Sequence, residues 1–418
     1  MKRLAIGFWL MFSGLSSGQV LLLPMDLVQT DHLKAYGVAY WALEQGITVD
    51  WLLNYRGGSF LIGWDESVVK RCRIRGVHYE TLDGDGVGMV YGVIDSANME
   101  SMRLEKAPAI GVYTPPNKQP WDDAVTLALT YAEIPYETLW DEEVLKGKLD
   151  ECDWLHLHHE DFTGQYGKFY GSYRNAAWYV EEQRLMESEA RRLGYAKVSK
   201  LKLEVAKRIR EYVLQGGFLF AMCSATDSYD IALAGQSTDI CESVFDGDPS
   251  DPECQKKLEY GECFAFDSFQ LITDPLVYEF SDIDTTPLER SGSRDPRNDY
   301  FTLFSFSAKY DPVPTMLTQN HVSVIHNFMG QTSGFHKNRI KRITVVMAEK
   351  EGTDEVKYLH GNIGRGTFTF LGGHDPEDYQ HLVGDPPTEL ALHKNSPGYR
   401  LILNNILFPA AQKKKQKT

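Results

Sequence analysis

The sequence predicts an α/β protein: an open, mainly parallel sheet flanked by helices, with an extra N-terminal β-α-β part and an irregular, β-containing insertion. Three observations predict it. Short apolar runs alternate with helical stretches along most of the 418 residues, the pattern of crossovers between parallel strands. Apolar residues make up 43% of the chain, and no long tract is of low complexity, so a packed core is the default. Residues 236–345 break the alternation with clustered Asp, Pro and Gly, as in Asp246-Gly247-Asp248-Pro249, and with aromatic strand-like pieces.

The chain opens on Lys2-Arg3, an apolar run over residues 5–15, and small residues at Ser16-Ser17-Gly18. The run is too short to span a bilayer comfortably, and the order basic, apolar, small is that of a secretory leader. Residues 1–18 are expected to be a signal peptide, with a mature start near Gln19 and export to the periplasm or the outside. No later stretch is long and apolar enough for a transmembrane helix.

Residues 19–106 form the N-terminal part. Val20-Leu21-Leu22-Leu23 reads as a strand, residues 30–45 as a helix ending at Gly46, and residues 47–53 as a second strand. A similar succession follows at residues 109–113, 121–132 and 136–139. Each reads as a β-α-β unit, and their likeness hints at an internal repeat. The second part, residues 107–411, continues with the alternating strand Trp154-Leu155-His156-Leu157-His158. Next comes a helix on which Leu201, Val205, Ile209 and Val213 recur every fourth residue. Phe218-Leu219-Phe220-Ala221-Met222 is a short buried strand that delivers Cys223 at its carboxyl end. Further strands are expected near residues 343–348, 357–360 and 367–371. A closing helix follows Ser396 as cap and Pro397 in the first turn. Residues 412–418 are a basic, solvated tail.

The net charge is −15, and such a surface repels nucleic acid and anionic lipid. Expected partners are a small molecule, a glycan or a peptide. Export permits disulfides, and Cys241, Cys254 and Cys263 lie close enough in sequence for a local bridge.

Sites in parallel sheets lie at the carboxyl ends of strands. Three such loops hold most of the reactive side chains: His158-His159-Glu160-Asp161, Cys223-Ser224-Ala225-Thr226-Asp227, and His374-Asp375-Pro376-Glu377-Asp378, with His381 beyond. Their convergence on one crevice is expected from strand order. A cysteine on a tight strand-to-helix turn is suited to attack a carbonyl, because the helix N-terminus favours thiolate and oxyanion and should lower the thiol pKa. A later histidine can serve as base, oriented by a carboxylate. Cys223, His374 and Asp375 or Glu377 are candidates for these catalytic roles, and His158, His159, Glu160, Asp161, Ser224 and Asp227 for contacts with substrate. A packing cysteine beside ordinary capping carboxylates is the bland alternative.

Gly216-Gly217-Phe218-Leu219-Phe220-Ala221-Met222-Cys223, together with Gly372-Gly373-His374 before a terminal helix, resembles the class I glutamine-amidotransferase-like superfamily, and within it the trehalose-utilisation type. The resemblance covers about residues 107–235 and 345–411. It implies a flavodoxin-type open sheet and a nucleophile elbow at Cys223, with hydrolysis or amide transfer at a C–N bond. The chain differs from the active family at Ala221 and Ala225, where glycines stand, and at Glu377, three residues from His374 rather than two. The whole chain also resembles a family of exported Bacteroidota proteins that carries the label asparagine synthetase B, through residues 122–127, 154–167, 372–385 and 404–409. Glutamine-hydrolysing asparagine synthesis, which that label implies, needs a cysteine at position two and a Ser-Gly-Gly-x-Asp-Ser loop. Here Lys2 and Cys223-Ser224-Ala225-Thr226-Asp227-Ser228 stand in those places.

Two other readings stay open. His158, His159, Asp161, His374 and His381 are natural metal ligands, but their spacing matches no closed zinc motif, and histidines hydrogen-bonded under loops are the simpler account. No metal is expected, and the sequence names no cofactor. The aromatic run Tyr166, Phe169, Tyr170, Tyr173, Trp178 and Tyr179 suits a groove for a glycan or peptide in a non-catalytic envelope protein.

Overall fold

The computed structural model describes residues 18–285, 299–311, 315–378 and 382–412. Residues 1–17 of the expected leader, His381 and the basic tail from Lys413 lie outside the described residues.

The N-terminal part is a five-stranded sheet of β1 (Val20–Leu23), β2 (Val49–Leu53), β3 (Ser59–Gly63), β4 (Glu80–Leu82) and β5 (Glu100–Leu104), in the order β4-β1-β3-β2-β5. Every neighbouring pair is antiparallel. Helices α1 (His32–Glu44), α2 (Glu66–Arg75) and α3 (Gly84–Ser96) connect the strands. The expected β-α-β unit is therefore split: β1 and β2 are parallel but not adjacent. The chain turns back after β2 through residues 54–58, where Asn54, Arg56, Gly57 and Gly58 all take positive φ, and β3 inserts between β1 and β2. Leu22 then faces Leu61, and Trp51 faces Phe60. The first four strands have the split β-α-β order, so the hinted repeat is absent at the level of pairing.

The second sheet contains β6 (Ile110–Tyr113), β7 (Glu137–Leu139), β8 (Trp154–Leu157), β9 (Phe218–Met222), β10 (Tyr300–Leu303), β11 (Val324–His326), β12 (Phe335–His336), β13 (Val345–Glu349), β14 (Glu355–Ile363) and β15 (Gly366–Leu371). Its helices are α4 (Ala124–Ala132), α5 (Asp141–Leu145), α6 (Tyr170–Tyr173), α7 (Ala177–Arg192), α8 (Val198–Gln215), α9 (Ser224–Ala234), α10 (Ser243–Asp246) and α11 (Pro397–Leu407). Strands β7-β6-β8-β9-β15 are parallel. Beyond β15 the order β14-β13-β10-β11 is antiparallel, with β12 on β14. The sheet is therefore mixed, a parallel set of five strands with an antiparallel extension. The switch comes at a tight hairpin, Ile363 facing Gly366, closed by Gly364 at φ +57°. Strands β10 and β11, from the irregular insertion, extend the antiparallel edge.

One continuous apolar cluster joins the two sheets, with α1, α4 and α11 packed on one another within it. Gly37 permits the close crossing of α1 and α4, since a Cβ there would sit 1.8 Å from the Ala132 carbonyl oxygen. Buried Arg400 of α11 donates to the carbonyls of Met25 at 3.0 Å and Gly57 at 2.6 Å, tying α11 to the N-terminal part. On the other face of the second sheet, Leu201, Val205, Ile209 and Val213 of α8 are fully buried, each contributing about 1.5–3 kcal/mol. Ser396 caps α11 through the Tyr399 amide at 3.3 Å, as its sequence suggests.

All six cysteines are free thiols. Cys241 and Cys263 donate instead to the carbonyls of Thr163 at 3.2 Å and Asp230 at 3.3 Å, so the expected local bridge does not form. Among the described residues, no helix is long and apolar enough to cross a membrane.

Candidate functional site

Strands β8, β9 and β15 are adjacent and parallel, and their carboxyl ends carry His158-His159, Cys223 and His374 respectively. Cys223 forms the turn between β9 and α9 with φ 51° and ψ −141°, a conformation that side-chain-bearing residues rarely adopt. The Cys223 amide donates to the Gly373 carbonyl at 3.1 Å, and the Ala225 amide to the His158 carbonyl at 3.1 Å. These two bonds fasten the elbow to both flanking loops.

The loop of residues 327–334 closes over the sulfur. Its Gln331 amide donates to Cys223 Sγ at 3.3 Å. Gly330 has no room for a side chain: a Cβ there would lie 3.0 Å from His374 Cβ and 3.1 Å from Cys223 Sγ. The thiol and His374 thus flank the same point. Buried Lys357 donates to the Ser333 carbonyl and holds the loop from below. Cys223 is 1% exposed. Burial pushes its thiol up to about 11, outweighing the amides of Thr332, Gln331 and Ser224, which pull it down. The expected lowering at the helix N-terminus is therefore overridden by desolvation.

His374 is fully buried. The two carboxylates expected to orient it are engaged elsewhere. Asp375 accepts from the Tyr399 hydroxyl and the Glu377 amide, both at 2.7 Å, and Glu377 pairs with His393 at 3.0 Å. Asp122 stands 4.0 Å from His374 Nδ1. Its neighbour Asp123 lies 3.2 Å from His158 Nδ1 and 3.4 Å from His156 Nε2, while capping α4 through the amides of Val125 and Thr126. Burial alone would raise the Asp123 pKa, but His158 and His156 beside it hold it well below the usual carboxylate range.

The three histidines meet. Ring centroids are 4.2 Å apart for His158 and His374, 5.0 Å for His158 and His159, and 5.8 Å for His159 and His374. One ring nitrogen from each falls within 4.8 Å of the others. Among the described residues two further groups have ligand-like spacing. Asp123, His156 and His158 are already paired with one another. In the other, Lys197 Nζ sits 2.8 Å from Asp239 and 3.0 Å from Asp246, beside Cys241, so a cation already occupies it.

His159 also lines a small cleft of about 20 Å3, room for roughly one water, with Trp121, Trp140, Glu160, Phe169 and Glu182. Burial pushes Glu160 up to about 8 and Glu182 up to about 7. Phe169 from the aromatic run lines the cleft, and Trp178 stacks edge-on against it and Trp121. Tyr166 and Tyr179 are core residues instead. Asp161 faces its own loop, accepting from Thr163 at 2.6 Å and from the Gly167 amide at 3.1 Å. Ser224 and Asp227 are fully buried inside α9, and Asp227 accepts from the Thr332 hydroxyl at 3.1 Å. Sequence reasoning missed Asp122, Asp123 and His156 as site residues, along with the 327–334 loop. The signal available was Asp122-Asp123 just before a helix, and a Gly330-to-Gly334 segment between strands.

No family model and no curated protein matches the chain. Among solved structures it is similar to a cytoplasmic protein of Salmonella typhimurium at 9% identity and a TM-score of 0.35, over 73% of this chain and 100% of that one. It is also similar to the exo-β-1,4-mannosidase of Opitutaceae bacterium strain TAV5 at 11% identity and 0.28, over 63% of this chain and 31% of that one. A β-galactosidase of Bacillus circulans sp. alkalophilus matches at 9% and 0.26, over 70% and 32%. At these scores none of the three bears on chemistry.

Proposed function

We propose that the protein is a cysteine-dependent hydrolase or amide transferase acting on a C–N bond of a small molecule, glycan or peptide. The observation that carries this reading is the Cys223 elbow. A side-chain-bearing residue is held at φ 51° between a parallel strand and a helix, with the Gln331 amide on its sulfur and His374 across Gly330. Strained backbone of this kind persists where the surroundings enforce it, and active sites are a common place.

In the proposed reaction His374 takes the thiol proton, and the sulfur attacks the carbonyl carbon. The C–N bond then breaks, and the amine leaves with the proton from His374. Water or an acceptor amine next displaces the sulfur and frees the acid or new amide. The amides of Gln331 and Thr332 are the candidate oxyanion donors. Substrate entry from the His159 side would require the small aromatic cleft to open. The test is incubation with a panel of amides and peptides, followed by intact-mass detection of an acyl adduct. An adduct that maps to Cys223 and is absent from Cys223→Ala supports the reading. Turnover that is unchanged in Cys223→Ala would overturn it.

A second reading rests on the burial of that same sulfur. A thiol 1% exposed suits a packing role, and the separate aromatic cleft lined by Trp121, Trp140 and Phe169 suits a binding protein that does no chemistry. In that case ligand affinity survives Cys223→Ala and falls with Trp121→Ala.

A further inference from the structure

We propose that His158, His159 and His374 hold a divalent transition-metal ion of the zinc class. Three strands' worth of topology brings them together. His158 and His159 follow β8, His374 follows β15, and β9 lies between. One ring nitrogen from each lies within 4.8 Å of the other two, a separation that has to shorten to about 3.3 Å for tetrahedral coordination near 2.0–2.1 Å.

The surroundings match those of a metal centre. Metal-bound histidines generally present their other ring nitrogen to a carboxylate, which fixes the tautomer and raises ligand basicity. Asp123 stands 3.2 Å from His158 Nδ1 and Asp122 4.0 Å from His374 Nδ1, so the proposal assigns the Nε2 atom of each to the metal. Asp123 is itself fixed by the α4 amides and by His156, so this support is rigid. The nearby carboxylates offset the charge of a buried dication. Imidazole donors select zinc, copper or nickel over magnesium and calcium. Three histidines leave a fourth position, and the small cleft on the His159 side has room for a water there.

This inference does not rest on the cysteine chemistry, but it constrains it. A metal on His374 would compete with its proposed role as proton acceptor for Cys223. Zn2+ should therefore inhibit any Cys223-dependent turnover.

The test is metal binding by the full-length protein after chelator treatment, by calorimetry with Zn2+ and by absorption spectroscopy with Co2+. The expected result is one ion per chain, with a tetrahedral cobalt spectrum. His159→Gln, at a half-buried position, should weaken binding about 100-fold or more, and Asp123→Asn about 10- to 100-fold. Cys223→Ser should bind as the parent does, which separates this site from the proposed nucleophile. Circular dichroism checks that each variant is folded. His374→Ala is a further ligand variant, and His159→Gln carries the test should His374→Ala not fold. Absence of stoichiometric binding, or binding unchanged in His159→Gln, would overturn the proposal.

Discussion

Asp123 Oδ1 lies 3.2 Å from His158 Nδ1 and accepts the Val125 and Thr126 amides at 2.8 and 2.9 Å. One carboxylate therefore starts a helix and positions a histidine at the end of the neighbouring strand. Its other oxygen reaches His156 at 3.4 Å. The fold and the site share this residue, and substitutions can separate its two tasks. Asp123→Asn keeps a cap acceptor and loses the charge, whereas Asp123→Ala loses both. In urea unfolding the alanine variant should be less stable than the asparagine variant by about 1 kcal/mol, the usual worth of a cap. Equal stability would mean that the cap contributes nothing here.

The Cys223 backbone gives a prediction independent of chemistry. At φ 51° and ψ −141°, alanine retains the steric cost of a Cβ and glycine does not. Glycine loses more chain entropy on folding, but strain at such positions costs roughly 1–3 kcal/mol. Cys223→Gly should therefore be more stable than Cys223→Ala by about 1 kcal/mol, by the same urea measurement. An alanine variant as stable as the glycine variant would show that the elbow is relaxed.

How much of this was legible in the sequence depended on range. Local signals held: Ser396 with Pro397, the four-residue spacing from Leu201 to Val213, and the apolar strand that presents Cys223 all stand as their residues suggest. Strand neighbours were not legible where a hairpin intervened. Val20–Leu23 and Val49–Leu53 look like the ends of a parallel unit, but β3 inserts between them, because sequence order does not say which edge a returning strand takes. The convergence of His158, Cys223 and His374 followed from strand order. The partners of His374 did not: Asp375 and Glu377 are its neighbours in sequence, but Tyr399 and His393 hold them, and Asp122 comes from an element some 250 residues earlier. Likewise the 327–334 loop reaches Cys223 only through tertiary packing that no periodicity records.

The cysteines make a third prediction. All six are thiols, and Cys241 and Cys263 are committed to backbone carbonyls in separate places. Protein purified without reductant and denatured should titrate six thiols per chain with a colorimetric reagent. A lower count that reductant restores would show a bridge that this fold does not contain. The native protein should react far more slowly at Cys223, which is 1% exposed, than at Cys152, which is only partly buried.

Asp227 supplies the last prediction, because the resemblance to the asparagine synthetase B label would place it on a phosphate-binding loop. It lies instead inside α9, fully buried, beneath the Thr332 hydroxyl. Side chains at Ser224 and Ala225 occupy the space where glycines would let phosphate approach. Burial pushes the Asp227 carboxyl up to about 7, helped by the charge of Asp161 and opposed by Thr332 and the Asp227 and Ser228 amides. The sign follows from linkage. The folded chain keeps this proton to about pH 7, whereas the unfolded chain releases it near 3.8, so rising pH between those values favours unfolding. The contribution is fully present below the lower value and gone above the higher one. Asp227→Asn keeps an acceptor for Thr332 without the charge, so its stability should lack this decline, and above pH 7 it should exceed the parent. Denaturant midpoints from pH 4 to 8 test this. The same purified protein should give no aspartate-dependent release of pyrophosphate from ATP. Robust release that Asp227→Asn abolishes would place Asp227 at a nucleotide after all, and would overturn both the burial argument and the cysteine-based reading.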